Sequence, residues 1–203
     1  MIYPMRCLPL LATCAALAIA NRLSAQRAST PPAKKPVPQP ISTGAWDVSE
    51  SKSEMTDEHT VALSLRASAP LQNDFGAVWP TLVVRCRENR IEAYVNAKMV
   101  LDGDSDGDSR VRLRWNEDSP IEATWSRSSD YQAVFADDPA ALLVGLSRYS
   151  KFRIEVHPYD RTPVVASFAP RGVEPLIPKL TRACPKAGLD TAMTRARADT
   201  LKS

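Results

Sequence analysis

The sequence predicts a mainly β domain: an antiparallel β-sandwich or partly open barrel with one or two peripheral helices, the C-terminal helix tied by a disulfide to a core strand. Three observations carry this prediction. Apolar and polar side chains alternate through most of residues 44–184, which is the period of half-buried strands. Turn-forming residues break these runs at short intervals, as in hairpins. Cys86 ends one strand pattern and Cys184 ends the last apolar helical pattern, so a bond between them would enclose nearly the whole domain in one covalent loop.

The chain has 203 residues and four cysteines. Residues 1–25 read as a secretory signal peptide. One charge, Arg6, precedes an almost wholly apolar run from Cys7 to Ala20, and small residues offer cleavage after Ala25 or, alternatively, Ala20. The apolar run is short for a membrane span. Leu11-Ala12-Thr13-Cys14 also resembles a lipidation box, with Thr13 a poor residue before the cysteine. Export leaves Cys86 and Cys184, and two cysteines in an exported chain read as one disulfide, with two buried thiols as the alternative. The expected location is the periplasm or the extracellular space.

Without residues 1–25 the chain carries 24 basic and 23 acidic residues. That balance excludes the strongly basic class of nucleic-acid binders. Residues 26–43 hold Pro31, Pro32, Pro36, Pro38 and Pro40 and have no apolar period, so they predict an extended linker. Residues 44–184 form the β-rich domain, and residues 185–203, polar and without a clear apolar face, predict a disordered tail.

Within the domain, Trp46 to Ser51 reads as a first strand, followed by a polar turn at Met55-Thr56-Asp57-Glu58. His59 to Arg66 alternates with Val61, Leu63 and Leu65 inward. Ala67 to Val78 reads as a loop. Thr81 to Cys86 and Ile91 to Asn96 form a hairpin around Glu88-Asn89-Arg90. A second hairpin pairs Arg110–Trp115 with Ile121–Trp125, and a short strand follows within Tyr131–Ala136. Asp138-Pro139 starts a helix with Leu142, Leu143 and Leu146 on its apolar side. Lys151–Val156 and Pro163–Phe168 are two further strands. Gly172 to Cys184 closes the domain as a helix, with Leu176, Ile177, Leu180, Ala183 and Cys184 at helical spacing.

Candidate chemistry is sparse. His59 and His157, the only histidines, have no metal-ligand spacing and read as surface residues. No nucleophile elbow or phosphate-cradling glycine loop is present, and the chain is expected not to be an enzyme. A hydrolase using paired carboxylates would leave no local signature, so that alternative stays open. Asp102, Asp104, Asp106 and Asp108 alternate through a Gly-containing loop, which resembles the first half of a calcium loop. Leu113 stands at the twelfth position, where a bidentate carboxylate belongs, so the pattern is half complete; a weak Ca²⁺ site and a solvated loop are the two readings. No other cofactor is expected. Trp115 and Trp125 fall on inward positions, whereas Trp46 and Trp79 are the freer candidates for stacking on a ligand. Arg85, Arg112, Arg114 and Arg153 fall on outward positions and predict a basic stripe for a protein partner, unless Glu92, Glu122 and Glu155 neutralise them across the sheet.

A set of positions carries a family resemblance: Trp46, Met55-Thr56-Asp57, Val61-Ala-Leu-Ser-Leu65, Leu82-Val-Val-Arg85-Cys86-x-x-Asn89 with Tyr94, Phe152-x-Ile-x-Val156-x-Pro158-Tyr159, Ala166-x-Phe168 and Ala183-Cys184. Over about residues 44–184 the chain resembles the type VI secretion-associated family (VasI/TagO-like). The resemblance implies an exported, non-enzymatic accessory protein of the cell envelope, associated with a contractile secretion apparatus. It offers no catalytic residues. Its recurring positions, Trp46, Arg85, Cys86, Tyr94 and Cys184, read equally as scaffold. The Pro-rich linker and the Asp-rich loop are not part of it. A secreted Ca²⁺- or glycan-binding β-domain is the alternative function.

Overall fold

Alternation fixes which side of each strand meets the core, and the computed structural model shows the outcome. It describes residues 41–43, 45–57 and 59–200, with backbone alone for Ile41–Thr43 and for residues 199 and 200. The segment expected to be a signal peptide and most of the expected linker lie outside the described residues. Ten strands form one antiparallel sheet: β1 (Ile41–Thr43), β2 (Trp46–Lys52), β3 (His59–Arg66), β6 (Thr81–Arg87), β7 (Arg90–Asn96), β10 (Ala133–Phe135), β9 (Ile121–Arg127), β8 (Asp108–Trp115), β11 (Phe152–Val156) and β12 (Val164–Phe168), in that spatial order. A separate hairpin is made by β4 (Leu71–Asn73) and β5 (Gly76–Val78). The sheet is one open ladder, not two stacked sheets.

The sheet curls. Its two ends approach each other where Ser68 N–H donates to Ser167 O at 2.7 Å and the Trp46 indole N–H donates to Pro170 O at 2.9 Å. The same contacts cover part of the exposed edge of β12, and Pro163 and Pro170 bracket it; both devices discourage a foreign strand from adding there.

The concave face holds Val61, Leu63, Leu65, Leu82, Val84, Cys86, Ala93 and Val95, all buried. Helices α1 (Pro139–Arg148) and α2 (Ile177–Ala183) pack on it, and α3 (Leu189–Thr200) packs on α1. Helix α1 starts as its sequence dictates. Pro139 occupies the first turn, where no backbone N–H is needed, and Asp138 caps it by accepting from Ala141 N–H at 2.8 Å. Leu142, Leu143 and Leu146 are buried. At Gly145 the helix comes so close to the sheet that a Cβ there would lie 2.4 Å from the Trp115 ring, so only glycine fits without moving it. Trp115 is half-buried between Tyr149 and Phe152, while Trp125 is core.

The helix expected from Gly172 begins later, with a short 3₁₀ turn at Glu174–Leu176 that leads into α2; Pro175 and Pro178 each fall in a first turn. Leu176, Ile177 and Leu180 are buried, and Cys184 caps α2 and bonds to Cys86 across 98 residues of sequence. The predicted tie between the last helical segment and a core strand is therefore present.

Three expectations are corrected. The tail 185–203 is not a frayed segment through residue 200: α3 packs along α1, burying Leu189 and Met193, with Ala192 and Ala196 partly covered. Its apolar stripe is only one residue per turn wide, too narrow to stand out against its charged side chains. The linker ends earlier than residue 43, because the β-branched Ile41 and Thr43 pair with Val48 and Trp46. The loop from Ala67 to Val78 contains the β4–β5 hairpin, whose three-residue strands are too short to show a period.

Candidate functional site

The register brings most of the long loops to one end of the sheet. Arg66 pairs with Thr81, Thr81 with Asn96, Asn96 with Ala133, Val134 with Arg127, and Ser126 with Asp108. The loops that leave these residues, together with the turn between Val156 and Val164, therefore share that end. They are fastened to one another through the backbone: Leu101 N–H donates to Tyr131 O at 2.8 Å, Asp102 N–H to His157 O at 2.7 Å, and Tyr159 N–H to Val100 O at 3.0 Å.

This end carries a cluster of exposed apolar side chains. Phe75 is 96% exposed, Tyr159 68%, Val100 51% and Tyr131 51%, and Trp79 is partly exposed beneath Arg66, whose guanidinium carbon lies 3.8 Å from the ring centroid. Phe75 sits at the apex of the β4–β5 hairpin because the chain must reverse there. Asn73 Oδ1 accepts from Phe75 N–H at 2.9 Å, and Gly76 follows with φ +119°, which only glycine tolerates well. Tyr131 has φ +59°, costly for a large side chain, and its ring lies under the Arg127 guanidinium at 4.9 Å.

Phe75, Val100 and Tyr159 line a cleft of about 490 Å³, floored by the buried Met99 and Pro158. Its hairpin wall is braced on both sides. Arg161 forms an ion pair with Asp74, and Asn73 Nδ2 donates to Lys98 O at 3.1 Å. Of these side chains only Pro158 and Tyr159 stand among the positions that carry the family resemblance, and none was a candidate site residue. The available signal was an aromatic residue inside a polar turn, as in Asn73-Asp74-Phe75-Gly76 and Pro158-Tyr159-Asp160.

The Asp-rich loop lies at the same end. Asp104 Oδ1 accepts from Asp106 N–H at 3.1 Å and from Asp108 N–H at 2.9 Å, which closes the turn. Arg127 donates to Leu101 O at 3.1 Å and to Asp104 O at 3.3 Å, and its guanidinium fills the space against Gly103. Among the described residues no group of three or more His, Cys, Asp or Glu gathers in a way that could hold a metal ion. A turn-closing role predicts that Asp104→Ala lowers the unfolding free energy by about 1 kcal/mol. Urea unfolding should give the same loss in EDTA and in millimolar CaCl₂. A loss confined to the calcium-loaded protein would mark a cation site instead.

The outward arginines are set apart along the outer face by strands β7, β10 and β9. Arg85 lies on β6, where its Nε donates to Glu92 at 2.6 Å and its guanidinium lies 5.1 Å from the Tyr94 ring. Arg112, Arg114 and Arg153 stand together on β8 and β11 around a shallow groove of about 230 Å³. Arg112 pairs with Glu155 at 3.2 Å, Arg114 binds Asp118 O at 2.7 Å, and Arg153 binds Asn116 O and Glu117. The hydrogen bond and charge of Arg153 hold the Glu117 carboxyl below the usual carboxylate range. Glu92 and Glu155 thus neutralise two of the arginines across strands, as the charge pattern allowed. Trp46, expected as a free stacking residue, is fully buried instead.

Fold and site together define a disulfide-tied β-domain of an oxidising, extracytoplasmic compartment. Among the described residues no helix is long and apolar enough to cross a membrane. No protein-family model matches the chain, and no curated protein matches it. Among solved structures the chain is similar to the crystal structure of invasion associated protein b from Bartonella henselae, with a TM-score of 0.47 and 11% identity over 70% of this chain and 96% of that one.

Proposed function

We propose that this chain is a non-enzymatic accessory domain of the cell envelope that acts by protein–protein contact through its loop end. The observation that carries this reading is the grouping of Phe75, Val100, Tyr131 and Tyr159, exposed on cross-braced loops at a single end of the domain. Single exposed apolar residues need no explanation, but several together on rigid loops are what contact surfaces use. The resemblance to the type VI secretion-associated family names the partner to look for: a membrane or baseplate component of a contractile secretion apparatus.

The test is crosslinking of the tagged protein in the envelope of its own host, affinity capture and mass spectrometry. Such a component should be recovered, and its yield should fall by about tenfold in a Phe75→Ser/Tyr159→Ser variant. Both side chains are largely exposed, so the variant should keep the wild-type melting temperature within a degree or two. An Arg112→Ala variant on the outer face should capture as well as wild type. Recovery of oligosaccharide fragments and no protein would instead favour a glycan-binding domain.

A further inference from the structure

We infer that the cleft between the β4–β5 hairpin, the Lys98–Leu101 loop and the Pro158–Arg161 turn takes a partner segment that presents an apolar or aromatic side chain beside a carboxylate. This deepens the contact reading above and rests on it.

The shape comes first. At about 490 Å³ the cleft is large enough for one large side chain and its flanking backbone. Its walls are pre-formed. The Asp74–Arg161 ion pair and the Asn73–Lys98 hydrogen bond fix the hairpin, and Tyr159 N–H to Val100 O joins the opposite walls. Binding into a pre-formed cleft loses little loop entropy. Phe75 and Tyr159 are rigid aromatic anchors of the kind that dominate contact energies.

The chemistry separates the candidate occupants. A sugar needs free hydrogen-bonding side chains beside an aromatic ring. Here both amide atoms of Asn73 are engaged, Nδ2 with Lys98 O and Oδ1 with Phe75 N–H, and Arg161 is held by Asp74, which leaves Lys98 and Gln132 as the polar groups of the lining. The rest of the wall is apolar or aromatic: Phe75, Val100 and Tyr159, with Met99 beneath. An apolar side chain fits it better than a polyol does.

Charge sets the second half of the motif. Lys98 lines the cleft and forms no salt bridge among the described residues, although its charge reaches the Asp130 carboxylate, whereas Arg161, the other cation there, is paired directly with Asp74. Lys98 also has φ +61°, a backbone state that lysine enters at a cost and that the surrounding loop contacts maintain. A carboxylate flanking the inserted apolar group would complement this ammonium and steer the approach.

The experiment uses the full chain, exported in its own host, with the photocrosslinker p-benzoylphenylalanine in place of Phe75. After irradiation the crosslinked peptide is mapped by mass spectrometry. The expected product joins an apolar or aromatic residue with Asp or Glu within about three positions. Its yield should fall about fivefold when Lys98→Glu is added, and Lys98→Arg should keep it. Peptides without a nearby carboxylate, or a yield indifferent to Lys98→Glu, would overturn the inference while the contact reading stands. Failure to crosslink at Phe75 while affinity capture still yields a protein partner would do the same. Failure of both experiments to yield any protein would overturn the inference and the contact reading together.

Discussion

Replacing both Cys86 and Cys184 by alanine is expected to lower the unfolding free energy by about 3–5 kcal/mol. The bond closes 98 residues of sequence, so the unfolded chain loses much of its freedom when it is present. For a loop of that size the chain-entropy model gives about 4.7 kcal/mol at 25 °C. Both cysteines are buried, and alanine leaves no unpaired thiol behind. The loss should be unevenly distributed. Helix α2 packs on β3 and β6, and its C-terminal end is fixed by the disulfide alone in covalent terms. In the double variant, amide exchange in α2 and α3 should therefore rise more than exchange in β3 and β6. Urea unfolding of the oxidised, reduced and double-alanine proteins checks the magnitude. At about 2–4 °C per kcal/mol for a domain of this size, the melting temperature should drop by roughly 6–20 °C. A drop of only a degree or two would mean that helix packing alone holds the C-terminal segment.

How much of this architecture was legible follows the range of the interactions involved. Strands β3, β6, β7 and β8 were readable because a half-buried strand writes its register into alternate residues: Val61, Leu63 and Leu65, or Val84 and Cys86. The turn at Glu88-Asn89 was readable because both residues take positive φ, a conformation that asparagine tolerates and tight hairpins need. Helix α1 was readable from its proline and aspartate. What escaped depends on partners far along the chain or on too few residues. Trp46 opens a strand in which only Val48 shares its burial and the last four residues are exposed, so the local pattern marks it weakly as core; its indole N–H meets a segment 124 residues away. Helix α3 buries two large side chains across three turns, and its stripe becomes visible only against α1. The loop-end cluster escaped for a third reason. Phe75, Val100, Tyr131 and Tyr159 are scattered across four segments, and only the register of the strands between them brings them together. The outward arginines show the opposite case: a pattern visible in sequence that strands β7, β10 and β9 set apart on the outer face, with Arg85 on β6 and Arg112, Arg114 and Arg153 on β8 and β11.

Trp46→Ala is expected to cost about 3–5 kcal/mol, the range for removing a large buried aromatic side chain. The more informative variant is Trp46→Phe, which keeps most of the apolar volume and removes the indole N–H. That N–H donates to Pro170 O, and Pro170 is itself buried, so the carbonyl would be left without its partner. The expected cost is about 1–3 kcal/mol. The effect should also be local in a particular way. Trp46 to Pro170 and Ser68 to Ser167 are the hydrogen bonds that bring the first strands of the curled sheet against its last. Loosening one should loosen the other. In Trp46→Phe the Ser68 amide should exchange faster than in wild type by more than the global destabilisation explains, while the Val84 amide, deep in the β3–β6–β7 ladder, should track the global value. Equal acceleration at both amides would show that the sheet curls through its helical core alone. Preferential opening at Ser68 would show that closure is held at the rim. Because β4 and β5 hang between Ser68 and Thr81, such opening should also loosen the hairpin that carries Phe75, and so tie the stability of the curl to the geometry of the contact surface.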